Sequence, residues 1–280
     1  MPEARTFKTL RTILSILLVL ALSDFERKTE MSKLIHPTTV GTCMSVLLLS
    51  ISHSFAQEGP AITPVPKSAN LEIRNAKVHL VKGIDLLVFD ITVSGTPGKT
   101  IPKAKGGMTG APVLGYVFPT TLKATDVGFS ATDGIVALAV TSHPDFDDTP
   151  LWDEDNDRNY GNDGVVFHPH WVVLTKDGRV KGGLAVKQFD KEKEDVTLPP
   201  TNPGMPMYMD SPGFSVVFKN KTLRVLVPLQ RVNNRKDFKF DAVAAYMQVM
   251  PKGDFPLLGV YEVYSVWSGD LSLPGTVSTQ

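Results

Sequence analysis

The chain carries 21 prolines and 22 glycines, and they break it into apolar runs that are mostly too short for a long helix. Proline lacks the backbone donor that helix and sheet interiors need, and glycine favours turns. A parallel sheet needs long crossover helices, and this punctuation leaves no room for them. Short strand-like runs lie at 71–81, 84–93, 113–118, 135–141, 165–175, 214–219, 223–229, 240–250 and 257–267. They are rich in Val, Ile, Leu, Phe and Tyr, and turn residues bound them. The pattern predicts an all-β chain: an antiparallel β-sandwich or barrel-like domain with long loops.

Within 71–81 the apolar residues alternate, Leu71 and Ile73 and then Val78 and Leu80. Lys82-Gly83 then predicts a hairpin into 84–93. The alanines at 242, 244 and 245 permit a helix over 241–250, but the surrounding β-formers assign it as a strand. The charged stretch 187–195 reads as a helical turn or two, or as an exposed loop. Residues 198–213 are proline-rich.

Two apolar runs precede this region, at 13–22 and 40–51. Both fall short of the ~20 residues that a membrane-spanning helix requires. The second follows Lys33 and ends at Ser54-Phe55-Ala56, with small residues placed for cleavage after Ala56. Residues 1–56 therefore read as a leader or signal peptide, with Met31 as an alternative start. Residues 57–68 read as a flexible Pro-rich lead-in, and 69–280 as a single β-rich domain. The expected location is periplasmic or secreted, with no membrane span in the mature chain.

The single cysteine, Cys43, precedes that cleavage point. Thiol catalysis, iron–sulfur clusters and cysteine-ligated zinc or copper are thereby excluded from the mature part. The first 56 residues hold six of the 29 basic and four of the 29 acidic residues, leaving 23 basic and 25 acidic residues beyond. That balance offers no basic face for nucleic acid, so no nucleic-acid partner is expected, and no other partner can be named.

The chemistry concentrates between 143 and 170. His168 and His170 stand two apart on a predicted strand, so their side chains share a face. Such a pair is a ready half-site for zinc, copper or iron, completed by a third His or a carboxylate. His143 follows the run 135–141, and it can supply the third ligand if that strand pairs with 165–175. Asp145 and Asp147 are further candidates. Pro169 cannot donate to a ladder, which predicts a sheet edge or a strand end. The plainer alternative is a partly exposed pair of histidines bonded to the acidic loop. The His-x-His pair resembles that of cupins, and His-x-His-Trp resembles that of α-type carbonic anhydrases. The cupin glutamate is missing, with Leu174 and Thr175 in its place. No histidine follows His170, so the carbonic anhydrase pattern also stops there.

Asp153, Asp155 and Asp157 alternate like the first ligands of a calcium loop. Arg158 stands where that loop needs glycine, and Gly164 where it needs an acid. A calcium site here would therefore be irregular. Met205, Met207 and Met209 also alternate; packing is their main expectation and soft Cu(I) a lesser one. Nucleophile elbows, P-loops and dinucleotide fingerprints are absent. The expectation is an exported β-domain that binds a divalent metal. The alternatives are a metal-dependent enzyme using His168 and His170, and a structural or protein-interaction domain without metal.

Overall fold

Alternation along each strand divides the side chains into two populations, and the fold places them in two cores. The computed structural model describes residues 63–103, 108–144, 158–159 and 166–280. These belong to one compact unit, Gln57–Gln280. The strands are β1 (Ile73–Val81), β2 (Leu86–Val93), β3 (Ala111–Pro119), β4 (Ile135–Ser142), β5 (His168–Lys176), β6 (Leu184–Val186) and β7 (Met209–Asp210). They continue as β8 (Ser215–Lys219), β9 (Thr222–Pro228), β10 (Lys239–Phe240), β11 (Val243–Val249), β12 (Leu258–Val266), β13 (Gly275–Thr276) and β14 (Ser278–Thr279). All nine predicted strands are present. The short strands β6, β7, β13 and β14 have no counterpart in the sequence reading, and β10 meets the predicted run 240–250 only at Phe240. The run 241–250 holds β11 and no helix, and 187–195 is loop and turn rather than helix.

One sheet has the order β14-β1-β2-β9-β8. The β1–β2 hairpin turns through Lys82–Ile84, and Asp85 takes a left-handed conformation, φ 46°. The buried positions of β1 change parity along the strand. The register with β2 shifts between Ile73 and Asn75, and this bulge brings Ile73 and then Ala76, Val78 and Leu80 onto the buried side.

The second sheet runs β4-β3-β11-β12-β6-β5-β7, and β4 also pairs with β5. Six antiparallel strands therefore close into a barrel, β4-β3-β11-β12-β6-β5, with β7 alongside β5. Closure removes the edges that an open sheet would leave. Two register shifts between β11 and β12 add bulges that increase local bending.

The two faces of the barrel strands do different things. Leu114, Tyr116, Phe118, Val136, Leu138, Val140, Trp171 and Val173 face outward and join the core shared with the five-stranded sheet. Phe89 of β2 is central there, edge-on to Phe118 at 5.2 Å and to Trp171 at 6.3 Å. Val113, Val117, Ala137, Ala139, Val172, Leu174, Ala245 and Met247 form the other core, inside the barrel. Met207 and Met209 belong to it and Met205 packs against it, so the alternating methionines share the packing role expected of them.

Candidate metal centre

The antiparallel pairing of β4 with β5 builds the site. Strand β5 lies against β4 with Thr141 opposite His168 and Ala139 opposite His170. Parity sends Trp171 and Val173 outward, and therefore His168, His170, Val172 and Leu174 to the other face. His143 follows the last residue of β4 and sits beside them. The pairing that would make it the third histidine of the group is thus present. Pro169 lies at the strand end, one of the two expected positions. The edge alternative is corrected, because β4 covers β5 along its length while β7 and then β6 cover its other side.

All three rings are buried: His143 is 3% exposed, His168 2% and His170 2%. The reading of a partly exposed pair is therefore overturned. Ring centroids are 4.8 Å apart for His143–His168, 4.7 Å for His168–His170 and 6.2 Å for His143–His170. One nitrogen from each ring falls within 4.8 Å of the others, a grouping that could hold a metal ion.

The hydrogen bonds decide which nitrogens face one another. His143 Nδ1 lies 2.7 Å from the Pro144 carbonyl, and His168 Nδ1 lies 2.9 Å from the Val166 carbonyl. A carbonyl oxygen only accepts, so both Nδ1 atoms carry the hydrogen. In neutral rings the Nε2 atoms then present lone pairs, and those of His143 and His168 are 3.0 Å apart. Two ~2.05 Å bonds to one tetrahedral zinc would leave roughly 3.3 Å between nitrogens, close to this separation. His170 Nδ1 lies 3.0 Å from Ser211 Oγ, which can accept its N–H. Each ring thus has an oxygen partner on Nδ1, the outer support that metal-binding imidazoles characteristically have.

Ser211 and the two carbonyls were missed by sequence reasoning. Ser211 continues the parity of Met205, Met207 and Met209, and that was its only signal. If Ser211 orients His170, Ser211→Ala is expected to weaken metal affinity about 10- to 100-fold. Competition against a chromophoric chelator measures this, and unchanged affinity would remove Ser211 from the site.

Asp210, next in the chain, faces the opposite way and is 1% exposed. Thr201 Oγ1 donates to its Oδ1 at 2.6 Å. Burial pushes its carboxyl above the usual range, with the Thr201 bond opposing the shift. A raised folded-state pKa means that the folded protein binds the proton more tightly, so this group's contribution to stability falls as pH rises through the carboxylate range. Asp210→Asn is expected to raise stability at pH 7, with the gain shrinking toward pH 3. Urea unfolding at the two pH values tests this; a loss of stability at pH 7 would contradict it.

Asp145, Asp147, Asp153, Asp155 and Asp157 lie outside the described residues, and so do most of the other acidic-loop positions. The remaining described histidine, His79, is on β1 in the other sheet, 4.0 Å from Asp90, which Arg224 also engages. Burial, followed by Lys77, lowers its pKa, and it is not part of the group. Among the described residues, no helix is long and apolar enough to cross a membrane. No protein-family model, curated protein or solved structure matches this chain.

Proposed function

We propose that this chain is an exported metal-binding β-barrel domain that holds one first-row divalent ion, zinc foremost, on His143, His168 and His170. The observation that carries the reading is the 3.0 Å approach of two Nε2 atoms whose Nδ1 partners are both carbonyls. Facing lone pairs repel unless a cation lies between them. A proton would join only two of the rings, whereas a metal engages all three. Imidazole donors suit zinc, copper and iron. Export is supported by the apolar run 40–51 with its Ser54-Phe55-Ala56 ending, and a site without cysteine is insensitive to an oxidising compartment.

Binding to the folded state alone stabilises it. At a free zinc concentration ~1,000 times Kd the gain is about 4 kcal/mol. For a domain of this size that corresponds to roughly 8–16 °C in Tm. Thermal unfolding of chelator-treated protein with and without zinc, copper(II) and iron(II) tests the proposal. A rise of this size with one of them is expected, weakening at acid pH as protons compete for the lone pairs. No rise with any of the three would contradict it.

A further inference from the structure

The barrel interior keeps open space because several of its inward side chains are small. Ordinary side chains already fill a barrel of about eight strands, so six strands leave little room unless residues are cut down. Alternation gives Gly115 the inward parity of Val113 and Val117, and Ala137, Ala139 and Ala245 belong to the inner core. The space that remains is a cavity of about 130 Å³, bordered by Ala139, Ala245, Val117 and Val172. An engineered apolar cavity of ~150 Å³ binds benzene, so this one has room for a hydrocarbon of nearly that size. Met108, Met205, Met207, Met209 and Met247 also line it. Methionine is flexible and polarizable, and surfaces rich in it repack around varied apolar ligands.

Thr141 supplies an independent observation. It has the inward parity of Ala137 and Ala139 and lines the cavity. It is 4% exposed, and its hydroxyl has no hydrogen-bond partner among the described residues. A buried hydroxyl without a partner is costly, which marks a position where a polar ligand atom belongs. The rim adds an entrance. Ile135, Val263 and Leu271 line the same cavity and are 37%, 41% and 38% exposed. Large apolar side chains left to solvent beside a cavity mark a binding surface. Leu271 and Leu273, both lining residues, hold φ of 60° and 53°, a left-handed conformation unfavourable for leucine. Strain of this kind collects at ligand clamps.

We infer that the barrel interior binds a small molecule with a hydrocarbon body and one hydrogen-bonding oxygen, a hydroxyl or a carbonyl. The body fills the cavity among the methionines, where its apolar surface leaves water. The oxygen pairs with Thr141, whose hydroxyl donates to a carbonyl and either donates to or accepts from a hydroxyl. The inference does not rest on the metal reading, because the cavity and the Thr141 hydroxyl are present whatever the histidines hold.

Titration of the protein with phenol and with benzene, followed by NMR, tests this. Both share a ring, and only phenol carries the oxygen. Both are expected to bind, with nuclear Overhauser contacts to the Met209 and Met247 methyl groups. Thr141→Val keeps the shape and removes the hydroxyl. It is expected to weaken phenol about tenfold and to leave benzene within about twofold. Ala139→Leu fills the cavity and is expected to abolish binding of both. No binding of either molecule at millimolar concentration would overturn the inference, and so would binding that a folded Ala139→Leu protein retains. An equal effect of Thr141→Val on the two molecules would overturn the pairing with Thr141. If a variant does not fold, the methyl contacts in the unmodified protein still decide, because bound ligand without them lies outside the barrel.

Discussion

His168→Ala is expected to remain folded and to lose metal affinity by two to three orders of magnitude. His168 is the histidine nearest both others by ring centroid, 4.8 Å from His143 and 4.7 Å from His170. The free energy of a closed zinc site, about 10–16 kcal/mol, spread over four positions, assigns roughly 2.5–4 kcal/mol to each. Losing one imidazole therefore costs about 10²–10³ in affinity. The cost to the fold is smaller. The substitution leaves the Val166 carbonyl without its ring donor, a penalty of about 1–3 kcal/mol, and it also relieves the facing Nε2 lone pairs. Metal titration followed by calorimetry, with circular dichroism as the check on folding, measures both effects. A folded variant with undiminished affinity would show that His168 is no ligand.

Trp171→Ala is expected to do the reverse. Trp171 stands one residue beyond His170 on β5, so parity turns it to the outer face of the barrel. There it is 1% exposed and packs edge-on to Phe89 of the five-stranded sheet. Truncating a fully buried tryptophan removes its transfer free energy and leaves a cavity, together about 3–5 kcal/mol. That is a large part of the 5–15 kcal/mol that holds a typical domain together. Urea unfolding monitored by circular dichroism reads the loss. The fraction that remains folded is expected to bind metal with affinity near that of the unmodified protein, because the histidines face the other way. A loss under ~1 kcal/mol would mean that β5 does not join the two sheets as described. The two variants separate the two faces of one strand: His168 acts on the ligand and Trp171 on the fold.

Much of this architecture was legible in local patterns. Closely spaced turn residues and the lack of a helical period pointed to an antiparallel all-β domain. The two-residue spacing of His168 and His170 placed both on one face. The position of His143 at the end of the neighbouring run identified the third histidine once β4 and β5 were allowed to pair. The alternation along β1 was visible, although the bulge opposite β2 that changes its parity was not. Other features depended on contacts distant in sequence. β6 and β7 are too short to carry a period, so the closing of the barrel through β6 and the flanking of β5 by β7 had no local signal. Pro169 suggested an edge or a strand end, and it marks the end: β4 pairs across it, while β7 and β6 pair with β5 only from Trp171 onward. The burial of the histidines depends on barrel closure and was likewise not readable. Ser211 and the Pro144 and Val166 carbonyls are invisible in a motif, because outer support for a ligand is a matter of approach rather than residue type.

The most direct test of the central claim is elemental analysis of the protein purified without chelator or affinity histidines, alongside a His168→Ala/His170→Ala double variant. The account predicts close to one equivalent of zinc, copper or iron in the unmodified protein and none in the folded double variant. The same metal content in both, or no transition metal in either, would contradict it.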